Sequence, residues 1–229
     1  MTYAFLEDYA RRRSQVRRYL AVVLRAERET RLGGGRKLQT DRLHVLRAGT
    51  FLILYNLVEA SARAALEAIH DAVATGRVPF SSLNAGIRRE VVKGFKRNAN
   101  PEIHDMMTDI PVDIVAVSLD VDYHFSGNVD ARLIRNVAEL YGFSVDTDTI
   151  RTHGGSDLLT VKTNRNDLAH GARTYDEVGR DFTFRDLLEI GLRTMAYVEG
   201  ILDNVAGYLD TQGYRDMSSE SPMPATLTT

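Results

Sequence analysis

The stretch Phe51–Ile69, FLILYNLVEASARAALEAI, decides how this chain is read. Apolar residues fall on nearly every side of a helical wheel, the pattern of a helix packed all round by others. Thr40 or Asp41 is suited to cap it, and it is expected to run to about Ala74. Its few polar residues are informative. Asn56, Glu59 and Arg63 fall at i, i+3 and i+7 and so form one stripe. Two readings stand: an internal i,i+4 pair between Glu59 and Arg63, or a stripe bordering a polar site or an interface.

Outward from that helix, the rest of the chain supplies its packing partners. Tyr3 to about Leu32 is amphipathic, with Phe5, Leu6, Tyr9, Val16, Tyr19, Leu20, Val23 and Leu24 at helical spacing and arginines on the other face. Gly33-Gly34-Gly35 breaks it into a flexible connection. No strand precedes those glycines and no GK[ST] follows, so they make neither a dinucleotide fold nor a P-loop. A third helix is expected over about 83–97 and a short helical turn over 101–108. Val112–Phe125 (VDIVAVSLDVDYHF) alternates as an extended segment or small hairpin does. Asn128 or Asp130 caps the next helix, which Gly142 closes. Another covers Ser156–His170. The last begins at Thr183-Phe184-Arg185-Asp186, a capping box with Asp in place of Glu, and runs to about Leu209.

These elements predict an all-α fold: an antiparallel bundle of five to six helices with a small irregular or β-hairpin insertion at about 110–127. One domain is expected over 1–212, with a disordered tail over 213–229.

Composition narrows the function classes. The chain has 229 residues and no cysteine, which excludes disulfides, thiolate metal ligands and thiol nucleophiles. No signal-peptide core and no uncharged apolar window of about eighteen residues is found, so no membrane and a cytoplasmic location are expected. The formal charge of −2 is uneven: residues 10–47 carry twelve Arg or Lys against Glu27, Glu29 and Asp41, a net +9. Arg11, Arg12, Arg13, Arg17 and Arg18 are therefore candidates for RNA binding, although a solvated helix face has the same appearance. His44, His70, His104, His124 and His153 show no metal-ligand spacing. A site at His124 with Asp120 or Asp122 is less economical than a structural turn, and no metal or cofactor is expected. Asp109, Asp113, Asp120 and Asp122 read as solvated loop acids.

One hexapeptide carries chemistry: Arg165-Asn166-Asp167-Leu168-Ala169-His170. Asn166 and His170 are four apart and share a helical face, and Gly171 is a natural stop just beyond. The other two Arg-Asn pairs are internal controls: Arg97-Asn98 has Glu102, and Arg135-Asn136 has Leu140, where the histidine would fall.

Arg165-Asn166-x3-His170 resembles the R-N-x3-H signature of the HEPN superfamily (higher eukaryote and prokaryote nucleotide-binding domains). Phe125-Ser126-Gly127-Asn128-Val129-Asp130, the Ile134–Tyr141 helix, Leu168-Ala169-His170-Gly171 and Thr183-Phe184 are similar to a stand-alone, toxin-like group of HEPN nucleases. The resemblance covers roughly residues 40–210. It implies a metal-independent endoribonuclease that works as a homodimer, two motifs meeting across a two-fold interface. A toxin or defence role, with an antitoxin or inhibitor protein as partner, is implied as well. Asn56, Glu59 and Arg63 are then candidates to line the junction.

The residues agree with that chemistry. RNA brings its own nucleophile, the 2′-hydroxyl, so the protein needs only proton transfer and a cation against the charged phosphate. Histidine exchanges a proton near neutral pH, a role for His170. Arg165 offers a guanidinium suited to phosphate, and Asn166 would orient the histidine or the phosphate. A non-catalytic HEPN-like module that binds a partner protein, nucleotide or RNA is the alternative.

Overall fold

The computed structural model describes residues 3–33, 37–98, 115, 118–125 and 127–216. Among these the chain is all-helical: α1 (Ala4–Leu32), α2 (Lys37–Thr75), α3 (Ala85–Asn98), α4 (Val121–His124), α5 (Ala131–Tyr141), α6 (Thr149–Thr152), α7 (Asp157–Ala169), α8 (Tyr175–Asp181) and α9 (Phe184–Asp210). Single 3₁₀ turns lie at Phe80–Ser82 and His153–Gly155.

α2 is the axis of the bundle. It packs against α1, α7, α8 and α9, and the all-round apolar pattern is the reason it can. Phe51, Leu54, Tyr55, Leu57 and Val58 are all buried although they point to different sides. By length and composition α2 is also apolar enough to cross a membrane, although charged residues interrupt it. In the fold 44% of its 18-residue apolar window is buried, against neighbouring helices. Leu54 meets no solvent, so Leu54→Ala would cost about 2–5 kcal/mol in lost burial and residual cavity.

Four expectations need correction. Val121–His124 is a helical turn, not a strand: the Asp120 side chain accepts hydrogen bonds from the Asp122 and Tyr123 amides and stabilises the first turn instead of a ladder. Gly213–Asp216 is not a loose tail, because Tyr214 is buried and Leu83 and Arg215 form an antiparallel bridge. Glu59 and Arg63 do not pair; each has a tertiary partner of its own, Arg165 and Asp122. Finally, α8 adds a helix where none is expected. Its seven residues are too few for a periodic signal, yet Thr174 and Glu177 form a complete capping box. Gly179 lets α8 lie directly on α2, since a Cβ there would sit 2.0 Å from the His44 carbonyl oxygen. The expected turn at 101–108, Gly34-Gly35, and the rest of the tail lie outside the described residues, as do His104, Asp109 and Asp113.

Candidate active site

The hexapeptide occupies the last turn of α7. His170 is the C-cap, and Gly171 follows with φ of +69°. The Gly171 amide donates to the Leu168 carbonyl (3.4 Å) and the Ala172 amide to that of Asp167 (2.9 Å), the pair of bonds that closes a Schellman-type helix end. The glycine predicted as the stop therefore has a conformational reason to be there.

Arg165 turns inward from that helix end. Its guanidinium stacks 4.1 Å from the centroid of the Tyr55 ring, which is fully buried on α2. Nη1 donates to Asn166 Oδ1 (2.8 Å) and to the Gly127 carbonyl (3.2 Å), and Nη2 lies 3.9 Å from Glu59 Oε2. Asn166 Nδ2 then donates to Asn128 Oδ1 at 2.8 Å. Tyr55 completes the frame: its hydroxyl accepts from the Val129 amide (3.0 Å), tying the 127–129 segment to α2.

His170 differs from these two. It is exposed, and its ring has no hydrogen-bond partner among the described residues, while its amide donates to the Asn166 carbonyl (2.9 Å). The arrangement is thus a hydrogen-bonded Arg165–Asn166 pair with, one turn on, an imidazole that no described residue bonds. An imidazole placed so is able to exchange protons with a bound molecule.

The remaining predicted residues are dispersed. Glu59 lies beside Arg165, but Arg63 bonds Asp122 and the Phe125 carbonyl (2.9 Å), and Asn56 is exposed on α2. On α1, Arg11 and Arg12 pair with Asp8, and Arg13 pairs with Glu199; Arg17 and Arg18 remain exposed. Asp120, Asp122 and His124 point to separate partners. No group of three or more His, Asp or Glu side chains fit to hold a metal ion occurs among the described residues.

Sequence reasoning did not assign site roles to Tyr55, Gly127 and Asn128. Asn128 was legible only as a capping candidate or as part of the Phe125–Asp130 stretch. The cap belongs to Asp130, which accepts from the Leu133 amide (2.9 Å) and pairs with Lys162, and this leaves Asn128 for the motif.

A buried polar cluster joins α2, α3, α4 and α5. His70 Nε2 meets the Tyr141 hydroxyl (2.8 Å), which meets His124 Nε2 (3.3 Å), which lies 3.5 Å from Glu90 Oε2. Burial, reinforced by the charge of His124, pulls His70 down to about 4. Burial also lowers His124, against the pull of Glu90. Both imidazoles are neutral near pH 7, as a cluster of low solvent access requires.

A family model for MAE_28990-like HEPN proteins matches residues 1–214. The chain belongs to this HEPN family. The match takes in α1, which lies outside the roughly 40–210 span of the motif resemblance. No curated protein and no solved structure matches the chain.

Proposed function

We propose that this HEPN protein is a metal-independent endoribonuclease of the toxin or defence type. The observation that carries the reading is the exposed His170, its ring without a partner among the described residues, one turn beyond the hydrogen-bonded Arg165–Asn166 pair.

In this reaction the RNA 2′-hydroxyl attacks the adjacent phosphorus and the bond to the 5′-oxygen breaks. The products are a 2′,3′-cyclic phosphate and a 5′-hydroxyl. One proton must leave the 2′-oxygen and one must reach the 5′-oxygen. His170 is fit for one of these transfers in each chain, so both are met when two copies place their histidines at one junction. A two-fold homodimer does this with a single self-complementary surface. Arg165 keeps Nε and most of Nη2 for the phosphate, its Nη1 being engaged by Asn166 and Gly127. A guanidinium already held in place stabilises developing charge without reorganising. A nuclease with its site open to cytoplasmic RNA calls for restraint, by an antitoxin or another inhibitor protein.

The second reading, a non-catalytic module that binds RNA, nucleotide or a partner protein, draws on that same engagement of Nη1. Incubation with RNA in EDTA, comparing the wild type with His170→Ala, separates the two. The nuclease reading expects cleavage that the alanine abolishes. Cleavage that survives the substitution, or none by the wild type, would sink it.

A further inference from the structure

We propose that Asn128 contacts the substrate, its side-chain Nδ2 donating a hydrogen bond to a phosphate oxygen of the RNA beside His170. This rests on the endoribonuclease reading of the same site and names a residue that reading does not use.

The argument is one of hydrogen-bond polarity. A guanidinium has donors and no acceptor. Arg165 Nη1, 2.8 Å from the Asn166 amide, must therefore face its oxygen. The Asn166 nitrogen is then turned away, and at 2.8 Å it meets Asn128. A nitrogen that donates requires an oxygen opposite, so Asn128 Oδ1 faces Asn166 and Asn128 Nδ2 faces outward. The orientation of both amides follows from the charge of Arg165 alone.

That outward donor is free. Asn128 is exposed, its neighbour Asp130 holds the helix cap, and Nδ2 has no partner among the described residues. It also lies on the reacting side, because Asn166 and His170 share one face of α7, roughly 5–6 Å apart at Cβ. Among the described residues the unengaged donors of the motif are Arg165 Nε, Asn128 Nδ2 and, apart from a 3.9 Å approach to Glu59 Oε2, Arg165 Nη2. A donor-only set fits an acceptor-only group, which a phosphate is. Base edges other than the N7/O6 edge of guanine present donors as well and would call for acceptors too.

Two substitutions in the full-length protein test this. Asn128→Asp keeps an oxygen for Asn166 Nδ2 but replaces the outward donor with an acceptor; Asn128→Ala removes both. If Asn128 only positioned Asn166, the aspartate would behave as wild type and only the alanine would fail. We expect the aspartate to lose at least as much as the alanine, roughly tenfold to a hundredfold in RNA cleavage, the size expected for a hydrogen bond to a charged group. Its melting temperature should stay at the wild-type value. The loss should persist at about 0.5 M salt, where a general field effect of the new charge is screened.

Fluorescence anisotropy with an uncleavable 2′-O-methyl RNA oligonucleotide separates this claim from the nuclease reading. Weakened binding by Asn128→Asp supports the contact whether or not the wild type cuts RNA. Wild-type binding and cleavage by Asn128→Asp would overturn it while leaving the nuclease reading intact.

Discussion

The guanidinium of Arg165 lies over the ring of Tyr55, 4.1 Å from its centroid, so the motif rests on the helix whose all-round apolar character organises the fold. Tyr55 is at once a core residue of α2, the floor beneath Arg165 and, through its hydroxyl, the anchor of Val129. Fold and site are joined at this one side chain.

Arg165→Lys is the first consequence. An ammonium cannot stack as a plane on Tyr55 while donating in one fork to Asn166 and Gly127. RNA cleavage under single-turnover conditions should fall roughly a hundredfold or more. Unfolding in urea should change by less than about 2 kcal/mol, because the lysine stem retains part of the packing. A lysine variant with wild-type cleavage would remove the fork from the account.

Gly171→Ala isolates the helix end. A Cβ there meets no atom, but φ of +69° disfavours any side chain. The cost is backbone strain of about 1 kcal/mol, seen as a melting temperature lower by about 2–4 °C. Cleavage should fall by more than this loss implies, since relaxing the turn displaces His170. An unchanged melting temperature would contradict the strain.

Acid should loosen the fold in a definite window. His70 is held near 4 when folded, below its ordinary 6.5, so between these values the unfolded chain binds a proton that the folded chain does not. Stability is then full above about pH 6.5, falls as the pH drops toward 4 and levels off below it, a loss of up to about 3 kcal/mol. His124, lowered in the same direction, adds to the slope. Asp8 and Asp130, lowered from 3.8, act only at more acid pH. Urea titrations between pH 4 and 7 should show His70→Gln with a flatter profile than the wild type; equal slopes would assign the loss elsewhere.

Much of this was open to reading in the linear chain. The wheel of Phe51–Ile69 announces a central helix, Thr183 and Asp186 announce a helix start, and Arg165-Asn166-x3-His170 announces the site. What was hidden depends on tertiary meetings. Period-two alternation at 121–124 is overruled by one capping aspartate, Asp120. The Glu59–Arg63 spacing permits a local pair that more distant partners displace. Asn128 precedes Asn166 by 38 residues, and no local pattern links two asparagines so far apart.

The five arginines between residues 11 and 18 of α1 separate into two groups. Arg11, Arg12 and Arg13 pair with Asp8 and Glu199, whereas Arg17 and Arg18 are exposed with no ion pair among the described residues. If this face steers RNA, replacing Arg17 and Arg18 with alanine should weaken binding and reduce the slope of log K against log salt by about 0.7 for each residue lost. An unchanged slope would make the stripe a solvated helix face.

The nature of the cut itself is the closest test of the account. An RNA oligonucleotide carrying one cleavage site, and a copy with a single 2′-deoxy substitution at that nucleotide, would be incubated with the protein in EDTA. The account predicts a 2′,3′-cyclic phosphate and a 5′-hydroxyl from the RNA, no cut in the substituted copy and no cut of either by His170→Ala. Cleavage at the 2′-deoxy position, or products bearing a 5′-phosphate, would contradict it.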